Sequence, residues 1–445
     1  MALTKTPLEK GFEKLYHPFQ AFIQSQTTAS LLLLICVLIA LVIANSPWAP
    51  GYQALIDTPV GFIFGDHTFA MSLKHWVNDG LMTYFFFLLG LEIKREILVG
   101  DINSLNTFLP IAAAALGGML VPAVLYLSLT FGTEVSMGWG IPMATDTALA
   151  VGILALLGRH IPAAAFIFLT ALAIIDDIGA ILVIALFYSD AISLPHLLAC
   201  AILLLTLLLF NLLGVRKPGL YLAVGAGLWA AMLGSGIHAT VAGVLVAVTV
   251  PARPKQEPAW FIHRLRNLLF RFEHMEKERA DDTPILGEPS QHTVALHIHQ
   301  AAEQATTPLR RWEQVLQQPV ALFILPAFAL TNAGIPIKTD LLLNIVSHPL
   351  ALGIIAGLVF GKTIGISLFC YLALQLRLGQ LPGKMTFRHV IGLSFLGGIG
   401  FTMSIFISEL GFSGQHEALV LAKTAIIVAS LFAGIGGYVW FRFRA

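Results

Sequence analysis

Apolar residues are gathered into twelve runs along the chain, roughly 27–46, 76–98, 108–131, 138–157, 163–188, 194–213, 219–234, 237–250, 319–335, 349–374, 389–409 and 417–440. Most have the length of about 20 residues that an α-helix needs to cross a hydrocarbon core about 30 Å thick. The runs at 219–234, 237–250 and 319–335 are shorter, and are expected to be tilted or incomplete spans. The pattern predicts an all-α polytopic membrane protein with about twelve transmembrane helices. Two pieces between the runs have a character of their own. Residues 60–73 (V-G-F-I-F-G-D-H-T-F-A-M-S-L) are two short β-prone stretches around Gly65-Asp66, which predicts a small hairpin. A lone hairpin is marginal in water, so it is expected to pack on something, a second subunit being one choice. The stretch 251–318 carries Phe261, Leu265, Leu268, Phe272 and Met275 at helical spacing beside Arg264, Arg266 and Arg271, a pattern suited to a helix lying on the membrane surface. The chain thus divides into an N-terminal segment (1–26), helices one to eight (27–250), a loop (251–318), and helices nine to twelve with a short tail (319–445).

Composition sharpens this picture. The 445 residues are 57% hydrophobic and 11% charged, against about 25% charged in soluble domains. No large basic face is available for nucleic acid. Cys36, Cys200 and Cys370 all fall inside apolar runs, neither paired in loops nor clustered, so neither a disulfide framework nor a zinc site is expected. The polar N-terminus lacks a cleavage site behind a short apolar core, and the first helix is expected to be retained. With that N-terminus inside, 22 of the Lys and Arg fall on the inner side and only Lys74 and Lys338 on the outer. Leaving out the nine in the long loop, where the rule is weak, the bias is still 13 against 2. Both termini and the 251–318 loop are therefore expected in the cytoplasm, and the hairpin outside.

The remaining charges lie where charge is costly. Asp146 sits in the fourth run (I-P-M-A-T-D-T-A-L-A), Asp176 and Asp177 in the middle of the fifth (A-L-A-I-I-D-D-I-G-A-I-L), and Lys362 in the middle of the tenth (G-L-V-F-G-K-T-I-G-I). Ionisable groups at membrane depth are functional candidates by default. Removal from water favours a neutral carboxyl, and a second carboxylate nearby favours it further, so such a cluster can exchange protons near neutral pH. Once ionised, carboxylates are hard oxygen ligands for a small hard cation, not for copper or zinc. Proton and cation then compete for the same oxygens, which is what an antiporter needs. Adjacent helical residues point about 100° apart, so one of Asp176 and Asp177 can face an ion while the other meets Lys362. The bland alternative is a set of salt bridges that only hold helices together; buried pairs are poor stabilisers, and this set is acidic in excess.

The backbone near these residues is interrupted too. Pro142, Thr145 and Thr147 punctuate the fourth run, and Gly397, Gly398 and Gly400 the eleventh. Such breaks free backbone polar groups at mid-membrane, tolerable only beside a cavity. Runs 3–5 and 10–12 are candidates for two structural repeats whose middle members are broken. Other features are set aside. G-L-V-F-G-K-T has too few residues between its glycines for a phosphate-binding loop and lies in an apolar helix. His238 (S-G-I-H-A-T) reads as a packed or hydrogen-bonded histidine. Asp79 and Glu92, about 20 Å apart along one helix, mark opposite mouths. His263, His274, His292, His297 and His299 in the loop fit no standard ligand spacing and read as solvated.

The segments N-D-G-L-M-T-Y-F-F-F-L-L-G-L-E-I-K-R-E, A-T-D, A-L-A-I-I-D-D-I-G-A-I, S-G-I-H-A-T, L-P-A-F-A-L-T-N-A-G, F-G-K-T-I-G-I and G-I-G-F-T-M-S-I-F, in this order, closely resemble the NhaA family of bacterial Na⁺/H⁺ antiporters. The resemblance covers 27–250 and 319–440. It implies inverted repeats with two broken helices crossing at mid-membrane, an architecture of which that family is itself a standard example. It implies electrogenic exchange, more than one proton in for each Na⁺ or Li⁺ out, across a bacterial inner membrane, with no cofactor and with pH homeostasis and salt tolerance as the outcome. It casts Asp146 and Asp177 as Na⁺-site carboxylates with Thr145 beside the break, and Asp176 as the partner of Lys362. Glu92, Arg95, Glu96 and Glu313 fall where the family has a cytoplasmic pH-responsive cluster, and the hairpin where it forms a homodimer. Two departures stand out. Gln314 and Gln317 occupy positions where histidines are expected, and the 251–318 loop is longer than the family core needs. Three rivals remain at this stage: a sodium-coupled carrier for an organic anion, a membrane-embedded aspartyl protease, and a sensor built around the loop. The first has little use for three clustered aspartates, the second needs its aspartates on separate helices with their own motifs, and the third rests on the loop alone.

Overall fold

The computed structural model describes residues 26–64, 67–100, 105–158, 161–189, 192–278, 289–336, 345 and 347–444. The N-terminal segment up to residue 25, the Gly65-Asp66 turn, and the counted cations Lys5, Lys10, Lys14, Arg159, Arg279 and Lys338 lie outside the described residues.

All twelve apolar runs coincide with helix. They are α1 (Gln26–Ala44), α3 (residues 73–99), α4 (Leu105–Thr130), a broken pair made of a 3₁₀ helix (Glu134–Met143) and α5 (Thr147–Leu156), α6 (Ala163–Phe187), α7 (Leu194–Leu212), α8 (Pro218–Leu233), α9 (Val241–Thr249), α12 (Pro308–Asn332), α13 (Pro349–Gln375), a second broken pair α14 (Phe387–Gly397) and α15 (Phe401–Gly411), and α16 (His416–Arg444). Among the described residues seven helices are long and apolar enough to cross a membrane, and nine spans result when each broken pair counts as one. The other three runs form α3, whose inner end carries Glu92, Lys94, Arg95 and Glu96, and the short α8 and α9. Each broken pair is bent by 43° and sits between two long helices, α4 and α6 in one case, α13 and α16 in the other. That correspondence matches the two repeats expected from the sequence.

A short helix α2 (Ala49–Ile56) precedes the hairpin β1 (Pro59–Phe64) and β2 (His67–Ser72), whose antiparallel register pairs Pro59 with Ser72 and Phe64 with His67. The long loop contains the helix expected from its apolar stripe, followed by a second one. It folds as α10 (Pro258–Glu278) and α11 (Pro289–Ala305), and the α10 stripe packs inward on α11. Leu268 buries against Val294 and Ala301, with Phe261, Phe272, Met275 and Ile298 around them. An apolar stripe at helical spacing is satisfied equally by lipid or by a second helix, and here the partner is protein. The loop also ends earlier than expected. Thr307 caps α12 at Pro308, so residues 308–318 continue into the ninth span and Glu313 is helical.

One close crossing sets the geometry of the centre. Where α4 meets α13, Gly117 lies against the carbonyl of Gly365 and Gly365 against the carbonyl of Gly117, with no room for a Cβ on either. Small residues let helices approach backbone to backbone. The approach carries Lys362, one turn away on α13, into the centre of the bundle, where its side chain passes the space that a Cβ on Gly118 would face.

Candidate functional site

The two helix breaks meet. Between the 3₁₀ helix and α5, residues 144–146 are extended, and the Asp146 N–H donates to the carbonyl of Ile399 at the other break, 2.6 Å away. The Thr145 hydroxyl lies 2.9 Å from the Gly397 carbonyl. Each break thus satisfies part of what the other leaves open, as a bilayer interior demands.

Asp146 caps two half-helices at once. Its Oδ1 accepts from the Leu149 N–H in the first turn of α5 at 3.0 Å. Its Oδ2 accepts from the Thr402 N–H at 3.0 Å and the Thr402 hydroxyl at 2.6 Å, in the first turn of α15. Helix N-termini carry unpaired N–H groups and partial positive charge, and here two of them meet at one carboxylate. The sequence places Asp146 partway into a helix; the structure puts it at the break itself.

Asp176 is committed elsewhere. The Lys362 ammonium donates to Asp176 Oδ2 at 2.5 Å and to the Thr145 hydroxyl at 3.0 Å, and Asp176 and Lys362 are both fully buried. The Thr145 hydroxyl also lies 2.8 Å from Asp176 Oδ2. A hydroxyl has one proton, so Thr145 accepts from Lys362 and donates to either Asp176 or Gly397. The buried Oδ1 atoms of Asp176 and of Asp177, one residue on, both lack a hydrogen-bond partner, and Asp177 is the one of the two that meets a cavity. Buried polar atoms are nearly always paired, and an orphan calls for a missing proton, ion or water.

A cavity of about 450 Å³ reaches Asp177. Asp146, Thr145, Asp177 and Thr402 line its deep end, and Glu92, Gln314 and Gln317 line it toward the α10–α11 end of the bundle. Asp176 and Lys362 do not line it, so the sequence-predicted cluster divides into an ion-accessible pair and a sequestered ion pair. Arg95 bridges Glu313 at 3.0 Å and Glu96 at 3.2 Å beside the mouth. Glu92, Arg95, Glu96 and Glu313 are therefore brought together, though Glu313 comes from a helix and not from a loop. Asp79 lines a different cavity at the hairpin end, 3.7 Å from His238. Among the described residues no group of three or more His, Cys, Asp or Glu has the arrangement of a metal site. Sequence reasoning missed Thr402. Its signal was available: a Thr just past a glycine break mirrors Thr147 past the other.

Paired half-helices with carboxylates at their crossing, reached by a cavity from one end, define a secondary transporter for small cations. The chain matches the Na⁺/H⁺ antiporter 1 family over residues 20–441. It is 48% identical to Na⁺/H⁺ antiporter NhaA 1 of Shewanella denitrificans, over 99% of this chain and 97% of that one. It is 45% identical to Na⁺/H⁺ antiporter NhaA 1 of Saccharophagus degradans (97% and 92% covered) and 44% to Na⁺/H⁺ antiporter NhaA of Sulfurimonas denitrificans (99% and 98% covered). The chain belongs to the NhaA family of Na⁺/H⁺ antiporters.

Proposed function

We propose that this Na⁺/H⁺ antiporter works by letting a proton and a small cation compete for the carboxylates at the helix crossing, with Asp177 as the group that changes hands. The observation that carries the reading is that Asp177, with an unpartnered buried oxygen, lines the cavity beside Asp146, while Asp176 does not line it. Asp146 already accepts three hydrogen bonds, so its oxygens are held in place for the cation. Na⁺ entering past Glu92 displaces the proton on Asp177 and takes oxygens from Asp177, Asp146 and Thr145. The loaded site then reorients, releases Na⁺ at the hairpin side and reprotonates. More than one proton travels per Na⁺, so the cycle moves charge. Li⁺, of similar hardness, competes for the same oxygens.

The charge tally supports a bacterial inner-membrane orientation with both termini and α10–α11 in the cytoplasm. We assign the hairpin to a homodimer contact: its Val60 and Phe69 are exposed, and a two-stranded ribbon offers unpaired edges. Dye-monitored collapse of a pH gradient in everted vesicles tests the exchange. Adding Na⁺ or Li⁺ should dissipate the gradient in vesicles carrying the chain. A response to an organic anion with Na⁺, and none to Na⁺ alone, would contradict it.

A further inference from the structure

The cation's route is open at one end and shut at the other, and the residues that shut it include three charges outside the site. At the hairpin end a second cavity, of about 520 Å³, is lined by Lys74, Asn78, Asp79, His238, Phe406 and Glu409 among others, and by none of the three site aspartates. Helix α15 borders both cavities: Thr402 and Met403 face the site, while Phe406, Glu409 and Leu410 face the hairpin end. Between them the Phe406 ring packs against Phe86 of α3 at 5.3 Å, Phe328 of α12 at 6.2 Å and His238 at 5.6 Å.

Just beyond that plug, Glu409 forms ion pairs with two lysines. Lys74, at the start of α3, lies 2.8 Å from its Oε1, and Lys423 of α16 pairs with the same oxygen. Lys423 also donates to the Asn332 carbonyl at the end of α12, 2.9 Å away. The two pairs differ in kind. Glu409 and Lys423 sit on helices joined by a four-residue turn, their side chains 11% and 8% exposed. Lys74 comes from the distant α3, is 25% exposed, and reaches Glu409 across the wall of the hairpin-end cavity. A half-wet ion pair is cheap to break and re-form because water receives the freed ammonium. A buried one is not.

We propose that Lys74, Glu409 and Lys423 form a latch on the hairpin side: Lys423 holds Glu409 in place, and the Lys74–Glu409 contact ties α3 to α15 while the site is open to the opposite side. Release of the cation at the hairpin end requires α15 to move away from α3, so this contact opens once in each cycle. The inference rests on the proposed site at Asp146 and Asp177, since it concerns which side reaches that site.

The test uses the full chain with Cys36, Cys200 and Cys370 replaced by alanine and a K74C/E409C pair bridged by a short bis-maleimide. Bridging should abolish Na⁺/H⁺ exchange in proteoliposomes, with each single-cysteine protein unaffected by the same reagent, while Na⁺ binding followed by calorimetry in detergent persists. Exchange at the unbridged rate would overturn the latch. Loss of Na⁺ binding along with exchange would also overturn it, because the bridge would then distort the site. A failure of the site reading is seen separately, as Na⁺ binding retained by D177N in the unbridged chain. Should E409C fail to fold with Lys423 left unpaired, Lys74→Ala keeps Glu409 partnered and serves instead. A cysteine placed at Met403 should then be labelled severalfold faster from the hairpin side than in the Lys74 background, and equal labelling would overturn the proposal.

Discussion

Thr402 gives both its backbone N–H and its hydroxyl to a single oxygen of Asp146, and so joins the two broken helices through one carboxylate. Neither half-helix has another anion at its start among the described residues, and the crossing is set by this contact together with the Asp146 N–H to Ile399 bond.

Thr402→Val keeps the shape and the N–H but removes the hydroxyl. A hydrogen bond to a charged acceptor is worth about 1.5–3 kcal/mol. The variant should lose roughly that much stability and require more Na⁺ for half-maximal exchange, since Asp146 then holds its position less firmly. Thermal unfolding in detergent and Na⁺ titration of the exchange rate check both effects. Unchanged stability would mean that the backbone contact alone sustains the crossing.

Asp176→Asn should behave as the loss of one member of a buried pair. Lys362 would keep Thr145 but lose its counter-charge, a change that costs about 3–5 kcal/mol when no other anion replaces it. Some exchange should remain, with altered charge movement per cycle, and a second change, Lys362→Met, should recover part of the stability because the stranded ammonium is gone. A variant as stable as the parent but wholly inactive would instead make Asp176 a direct ligand of the cation. Melting curves and currents on supported membranes separate the two.

How much of this was legible in the sequence depended on whether one periodicity had one meaning. Asp146, Asp176, Asp177 and Lys362 stood out because a charge in an apolar run has few explanations. The roles of the adjacent aspartates, however, follow from the Gly117–Gly365 approach that brings Lys362 to Asp176 and leaves Asp177 facing the cavity. The Phe261–Met275 stripe gave the helix α10 but not its partner, since lipid and α11 ask the same spacing of it. The start of α12 was hidden by its polar composition, although Thr307 before Pro308 is a capping signal at the first helical position. Thr402 had a local signal, its place just past the glycine break, but its partner Asp146 did not follow from it, because the contact joins two breaks far apart in the chain.

The pH response should reside in the site and its mouth, and not in the α10–α11 hairpin. Gln314 and Gln317 line the cavity where a titrating side chain would otherwise stand. Competition sets the sign: below the titration range of the site the carboxyls hold protons and Na⁺ binding weakens, by about tenfold per pH unit for one competing proton. Exchange therefore falls toward acid pH. The N–H groups of Lys255 and Gln256 both donate to the Gln304 carbonyl, so the ends of the hairpin are adjacent and it can be excised with a short linker. Deleting most of 255–305 should leave the pH profile of exchange in proteoliposomes with at most a modest shift in midpoint. A flattened profile would make the loop histidines the sensor.

Asp177 is the centre of the mechanism, and proton release on cation binding tests it most directly. In weakly buffered detergent solution near the midpoint of the pH profile, adding Na⁺ to the purified protein should release protons, read by a soluble indicator, while K⁺ at equal ionic strength should not. Asp177→Asn should stay folded, bind Na⁺ weakly if at all, and release none. Release of as many protons from Asp177→Asn as from the parent would contradict the competition at Asp177.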